Sequence, residues 1–411
     1  MLALNPRVAS RTLEISGPAA PDHARSAGTT TLPPIPVFEQ EFWTHRQRQA
    51  SSIHEISYRG CFKPQLPAYF IERLAREGDA VYDPFSGRGT TAVEAALHGR
   101  SVIANDVSPL SGILTRPRLE LPSIADIDAR LRSLRFTARA RTSLDLSMFF
   151  HPDTEHAILA LREYLQRRRN AGTEDAVDRW IRMVATNRLT GHSAGFFSVY
   201  TLPPNQAVST EDQIRINARL KQEPEFRDVR ALIMKKSLQL QGRLSASDRW
   251  RLRSAAEGAR LLEEDASGTP AIATASVQLT VTSPPFLDVV QYARDNWLRC
   301  WFNGLDAEAI GARITMSRTV EHWAQAMRPV LSELYRVTRA GGWVAFEVGE
   351  VRRGEVKLEE TVAPLGIDAG FDCAAILINA QSFTKTANIW GVANNRLGTN
   401  SNRIVLFQKP G

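Results

Sequence analysis

Apolar positions along this chain come in two rhythms. Short apolar runs bounded by turn residues read as strands: "AVYDPF", "SVIAND", "SVQLTV", "WVAFEVGEV", "DCAAILIN" and "NRIVLFQKP". Between them lie longer stretches of helical period. In "QLPAYFIERLAREGD" the residues Ala68, Phe70, Ile71, Leu74 and Ala75 share one helical face, and Gly78 is placed to end that helix. "TTAVEAALHG" reads as a second helix with Gly99 just past its end. The first strand, this helix and "SVIAND" make a strand–loop–helix–strand unit of the length a parallel crossover needs. "LDVVQYARDNWLRCWFNGL" and "EHWAQAMRPVLSELYRVTRAGG" predict two later helices, the second leading into the "WVAFEVGEV" strand. The last two apolar runs predict a pair of strands.

From about residue 115 to 260 the pattern is mostly helical, with "SVYTLPPNQAVST" as a loop in its middle. Strands alternating with helices on both sides of this segment predict an α/β fold: a doubly wound, mostly parallel sheet carrying a helical, basic insertion over 115–260. Residues 1–36, dominated by Pro, Ala, Ser and Thr without a period, predict a disordered N-terminal tail. The tail has no apolar core of a secretory signal, and no run in the chain is long and apolar enough to predict a membrane span.

Charge sharpens this picture. The 411 residues carry 51 Lys plus Arg against 44 Asp plus Glu, a net +7. Between 111 and 260 the count is 26 against 17, an excess of 9 that exceeds the whole chain's. A basic excess of this kind favours a polyanionic partner, because each phosphate contact releases a counterion. The three cysteines are far apart and form no CxxC pair, and the eight histidines lack ligand spacing. That argues against a disulfide framework and against any metal, and fits a reducing cytoplasm.

The stretch with the most specific chemistry is "DPFSGRGTT", Asp83 to Thr91. It follows a strand and opens a helix. Gly87 and Gly89 let the backbone turn sharply and approach a ligand, and the helix start offers free N–H groups. Asp106 ends the next strand, where an acid can accept hydrogen bonds from ribose hydroxyls. The third glycine of a dinucleotide loop and the lysine of a phosphate loop are both missing, so an adenosine-bearing ligand is favoured over a phosphate.

This stretch resembles the cofactor motif, D-P-F-x-G-x-G-T-T, of the S-adenosylmethionine-dependent amino-methyltransferases that act on DNA. The resemblance implies a class I methyltransferase-like fold with S-adenosylmethionine as cofactor. Asp83 would lie near the cofactor's amino-acid end, Phe85 would pack on it, and Ser86 to Gly89 would wrap it. Pro84, Thr90 and Thr91 complete the motif, and Asp106 would hold the ribose. "CFKPQLP", with Lys63 and Pro64, resembles the family's extra cofactor motif upstream of the loop. "EEDA", with Asp265, resembles the short acidic motif that contacts the adenine. The chain then divides into a cofactor-binding half over 37–114, the insertion, and a catalytic half over 261–411.

The second constellation is "TSPPF", with Ser283, Pro284, Pro285 and Phe286 at a strand end. Adjacent prolines cannot continue a ladder and make a rigid turn. A base's exocyclic amine is a poor nucleophile because its lone pair is delocalised into the ring. Acceptors held at its N–H bonds localise that pair, and the Ser283 hydroxyl and Pro284 carbonyl are such acceptors. Phe286 offers a flat face to a base taken out of the stack. "TSPPF" resembles the S-P-P-Y/F motif of the family's cytosine-N4 branch, whereas the adenine branch more often has Asp or Asn in place of the serine. No Pro-Cys dipeptide is present, which sets aside carbon-5 chemistry.

The resemblance implies double-stranded DNA with a flipped target base as partner, and leaves a cognate restriction endonuclease open as a second. The insertion is expected to contact the duplex through Arg167, Arg168, Arg169, Lys235 and Lys236, with a helical lid as the alternative. Competing readings are an adenine or RNA substrate, an idle nucleic-acid binder on the same scaffold, and a hydrolase. The hydrolase rests on "GHSAG" around Ser193, which requires a strand before the serine where the pattern predicts a helix.

Overall fold

The computed structural model describes residues 35–43, 50–136, 142–201, 207–285, 287, 291–314, 317–348, 350–351, 356–380 and 401–411. The tail read over 1–36 lies outside these except for its last two residues.

The elements run β1 Val37–Gln40, α1 Gln65–Leu74, β2 Ala80–Asp83, α2 Thr90–Leu97, β3 Ser101–Asn105 and α3 Pro109–Glu120. Six further helices follow: α4 Ile124–Ser133, α5 Pro152–Asn170, α6 Ala176–Arg188, α7 Thr210–Leu220, α8 Val229–Gln241 and α9 Ala246–Gly258. The chain returns to the sheet with β4 Arg260–Leu262 and β5 Val277–Thr282, then α10 Tyr292–Asn303, α11 Ala307–Arg313, α12 Val320–Val337 and β6 Thr338–Val348. A small hairpin, β7 Glu350–Val351 with β8 Val356–Lys357, precedes α13 Leu358–Asp368, β9 Asp372–Ala380 and β10 Ser401–Gln408.

The main sheet has eight strands in the order β1-β9-β10-β6-β5-β2-β3-β4. All neighbours pair parallel except β10, which is antiparallel to both β6 and β9. This is the doubly wound, mostly parallel α/β fold that the alternation of strands and helices predicts. Its order reverses between β2 and β5, and ligands bind at such a switch point beyond the strands' carboxyl ends.

Alternation along the strands sorts the core into two layers. Val81, Val102, Leu279, Val281, Ala345 and Leu377 face one side, together with Trp180, Ile233 and Leu252 from the helical segment. Tyr82, Ile103, Val344, Phe346, Ile376 and Val405 face the other, against Trp323, Leu331 and Leu334 of α12 and Val362 of α13. Helices α3 to α6, α8 and α9 therefore share one continuous core with the sheet, within a segment that runs from Pro109 to Arg260. Among the described residues no helix is long and apolar enough to cross a membrane.

Two local readings shift. Helix α1 stops at Leu74, one turn before Gly78, which instead sits at φ +83° in the turn into β2. The glycine pair Gly341–Gly342, read as the end of the preceding helix, lies inside the start of β6, where the register with β5 slips.

Candidate active site

Strand β2 delivers the glycine loop and β5 delivers Ser283, and the two strands are direct neighbours with Val81 opposite Leu279 and Tyr82 opposite Thr280. Asp83 closes β2 almost fully buried. It accepts from Thr282 Oγ1 at 2.7 Å and from Phe85 N at 3.2 Å. Burial nonetheless pushes its carboxyl up to about 7, because an ionised carboxylate loses more hydration than these bonds return.

The loop is held from beneath by backbone. Ser86 N donates to Asn105 O at 2.9 Å, and Gly89 N to Ser86 O at 2.6 Å. Gly87 and Gly89 sit at φ +51° and +72°, the left-handed region a side chain disfavours. At Gly89 space is also absent: a Cβ there would lie 2.1 Å from Thr115 Oγ1 of α3. Thr91 Oγ1 donates to Val281 O at 3.0 Å, tying the start of α2 to β5. Arg88 is buried inside the motif, its guanidinium donating to Ile56 O at 2.8 Å and to Thr90 Oγ1 at 3.1 Å. It thereby clamps segment 54–62 against the loop.

Asp106 follows β3 and faces the loop. Gly87 N donates to its Oδ2 at 2.8 Å and Ser108 N to its Oδ1 at 2.9 Å. Its carboxyl is pushed up to about 6, with burial outweighing both donors. Asp265 lies beyond β4 and accepts from Ser267 N and Ser267 Oγ. Trp323 Nε1 donates to Pro285 O at 2.8 Å, fixing the second proline carbonyl of the motif.

These groups open on one cavity of about 370 Å³. Of the residues singled out from sequence, Pro84, Phe85, Gly87, Asp106, Asp265, Ser283, Pro284 and Pro285 line it. Asp83, Ser86, Gly89, Thr90 and Thr91 stand behind the wall and shape it, and Lys63 and Pro64 are also off the lining. Lys63 is half-buried, and burial, with Arg88 close by, depresses its ammonium. Phe286 lies outside the described residues.

Sequence reasoning missed Tyr58, Tyr292, Arg313 and Met327, which also line the cavity. Tyr292 and Ser108 share a hydroxyl–hydroxyl hydrogen bond, and Tyr58 hydrogen-bonds Tyr292. Nothing in local spacing marks these residues, since each reaches the cavity from a different element.

The basic residues of the helical segment have divided fates. Arg168 is bound to Asp178 at 2.9 Å, and Lys236 is buried with its ammonium pushed down to about 8, chiefly by burial. The burial of Lys236 corrects one of the five residues named for that role, while Arg168 stays partly exposed beside its carboxylate. A second cleft of about 160 Å³ lies beside the first, lined by Arg116, Arg169, Arg179 and Arg182 together with Glu174 and Glu263. Arg179 pairs with Glu120 and Arg182 with Glu174. Arg313, on the wall of the main cavity, donates to Val107 O and Glu263 O, between the two clefts. Ser193 follows α6, a helix, so the strand a nucleophile elbow needs is absent.

Residues 33–109 match the family model for DNA methylase. The Type II methyltransferase M.MjaII of Methanocaldococcus jannaschii is 37% identical over 75 residues, 18% of this chain and 14% of its own length. The orphan methyltransferase M.BamHII of Bacillus amyloliquefaciens is 41% identical over 68 residues, 15% of this chain and 23% of that protein. Among solved structures, the rRNA methyltransferase aviRa of Streptomyces viridochromogenes aligns over 88% of this chain and 91% of its own at 12% identity, with a TM-score of 0.35. The chain thus spans less than a quarter of the length of the curated relatives it matches. The stretch that is similar to DNA methylases, 33–109, contains the whole glycine loop and Asp106.

Proposed function

We propose that this chain is a DNA methyltransferase of the amino type, using S-adenosylmethionine and acting on the N4 amine of cytosine. The observation that carries this reading is one cavity, of about 370 Å³, walled by Gly87 and Asp106 on one side and by Ser283 and Pro284 on the other.

The residues present fit S-adenosylmethionine. Asp106 is a carboxylate fixed by two backbone donors at the mouth of a glycine loop. The Ser86 hydroxyl is buried without a partner among the described residues. When bound, the cofactor supplies an electrophilic methyl group on a sulfonium sulfur. The chain does the rest. Asp106 and the loop orient the donor, and the Ser283 hydroxyl and Pro284 carbonyl hold the amine's N–H bonds. Trp323, through Pro285 O, keeps that turn in place, and positioning is a large part of the rate. Serine at the head of the proline pair favours cytosine over adenine.

The test is to incubate the protein with labelled donor and duplex DNA, digest to nucleosides and identify the product by mass. N4-methylcytosine supports the reading. N6-methyladenine replaces its substrate, and transfer to RNA alone, or to nothing, overturns it.

Asp106 makes donor affinity pH-dependent. Burial pushes its carboxyl up to about 6, and protonation removes the acceptor, so affinity is present above that pH and lost as pH falls through it. Each unit further down is expected to weaken donor binding by about tenfold. Calorimetry from pH 7.5 to about pH 5 checks this; Asp106→Asn should bind weakly and lose this slope, any remaining slope belonging to Asp83, whose carboxyl is pushed up to about 7.

The arginine-lined cleft is the surface we assign to the DNA backbone, since Arg116 and Arg169 line it while Arg179 and Arg182 already hold carboxylates. Arg116→Gln with Arg169→Gln should weaken duplex binding and reduce the slope of log affinity against log salt by up to about 2. An unchanged slope would remove the assignment.

A further inference from the structure

The catalytic turn has a buried carboxyl behind it. Thr282 of β5 pairs with Phe346 of β6, so the next residues, Ser283 and Glu347, come side by side at the carboxyl ends of adjacent parallel strands. Glu347 is 5% exposed. It hydrogen-bonds the Ser283 hydroxyl, and Asn402 Nδ2 of β10 donates to its Oε1 at 2.8 Å. Ser283 lines the cavity and Glu347 does not, so the three form a line running inward: cavity, Ser283, Glu347, Asn402.

A serine hydroxyl has one proton and two lone pairs. If its proton points at Glu347, its lone pairs face the cavity. Without that anchor the hydroxyl is free to rotate and present its proton to the amine, which is the wrong polarity. Asn402 matters in the same way, because its donated bond fixes one Glu347 oxygen. Among the described residues, the groups acting on this carboxyl are Ser283 and Asn402. The neighbouring Arg403 reaches Glu359 of α13 on the other face of the sheet. Burial raises the carboxyl above its ordinary range, and the two hydrogen bonds bring it part of the way back.

We propose that Glu347 is the positioning residue for Ser283 and receives, through it, the proton that the methylated amine must lose. The inference rests on the reading of the cavity as an amine-methylation site. The amine's lone pair forms the new N–C bond, and the methyl–sulfur pair stays on sulfur as a neutral thioether. The cationic N-methyl amine then gives one N–H proton to Ser283 Oγ as the serine's own proton passes to Glu347. Serine is regenerated, Glu347 is left neutral, and its proton returns to water by the same path once the base has left.

Two measurements test this. In the first, Glu347→Gln keeps shape but presents an amide that can donate to Ser283, reversing the bond's polarity. The single-turnover methylation rate at saturating donor should fall by tenfold to about a hundredfold, with donor affinity within about twofold and the low-pH limb of the rate profile lost. Glu347→Asp should retain more rate than Glu347→Gln. In the second, the Glu347 carboxyl is titrated by carbon-13 NMR in glutamate-labelled protein, with Glu347→Gln assigning its resonance. Ser283→Ala should move its midpoint upward, because the hydroxyl that stabilises the carboxylate is gone. A wild-type rate in Glu347→Gln, or a Glu347 midpoint indifferent to Ser283→Ala, overturns the proposal. Absence of DNA methylation by the wild-type protein would instead overturn the reading of the site, while the titration still decides whether the two side chains are coupled.

Discussion

Replacing Ser283 by alanine should lower the single-turnover methylation rate by about a hundredfold while leaving donor affinity within about twofold. The expectation follows from where the hydroxyl stands. It is on the cavity wall, and the strand that presents it is otherwise held by its own contacts: Val281 O by Thr91, the Thr282 side chain by Asp83, and Pro285 O by Trp323. Removing one oxygen atom leaves this frame intact. The donor side of the cavity, built on Gly87 and Asp106, is not touched. Stability should fall by about 1–3 kcal/mol, because the buried Glu347 carboxyl loses one of its two donors. Quenched-flow methylation and calorimetry with the donor separate the two effects. A rate equal to wild type would show that the hydroxyl takes no part in holding the amine.

Replacing Gly89 by alanine should do the opposite: the protein loses stability and donor binding together. The backbone at φ +72° costs any side chain strain of about 1 kcal/mol or more. The added Cβ would also lie 2.1 Å from Thr115 Oγ1, 2.7 Å from its Cγ2 and 2.9 Å from its Cβ. Thr115 is fully buried on α3, and the same helix is latched to the loop by Arg118, which donates to Arg88 O. Neither side can retreat cheaply, and overpacking of this kind costs about 1–3 kcal/mol more. A clear fall in melting temperature with no measurable donor binding is expected. Gly89→Ala combined with Thr115→Ala should recover part of the loss, since the two nearest atoms are then gone. Gly87→Ala is the informative contrast: its Cβ would meet only the Tyr58 ring at 3.5 Å, so strain is the main cost. Equal damage from both alanines would show that conformation, not space, governs the loop.

Much of this site was legible before the fold. The strand–loop–helix unit around "DPFSGRGTT" is local: its glycines, its flanking apolar runs and the acid after the second strand lie within 27 residues, Ala80 to Asp106. Period and turn chemistry suffice to read such a unit. The rigid turn at Pro284–Pro285 is local in the same sense. The helices between 109 and 258 were legible as helices, but not their packing. Lys236 and Arg168 read as free charges on a polar pattern, yet one is buried and the other serves Asp178. A charge count cannot separate a solvated arginine from one used inside, because pairing depends on which helix packs where.

By itself, the chain's pattern determined that Asp83–Thr91 is a glycine-bearing loop between a strand and a helix, that Ser283–Pro285 is a stiff turn, and that strands and helices alternate around a helical insertion. Only the tertiary structure decided that these two turns share a wall, that Tyr58 and Tyr292 join them, and that Glu347 stands behind Ser283. The physical reason is that pairing of parallel strands is non-local. Residues about 200 positions apart become neighbours because both faces of the sheet must be buried at once, and that requirement belongs to the whole chain and to no segment of it.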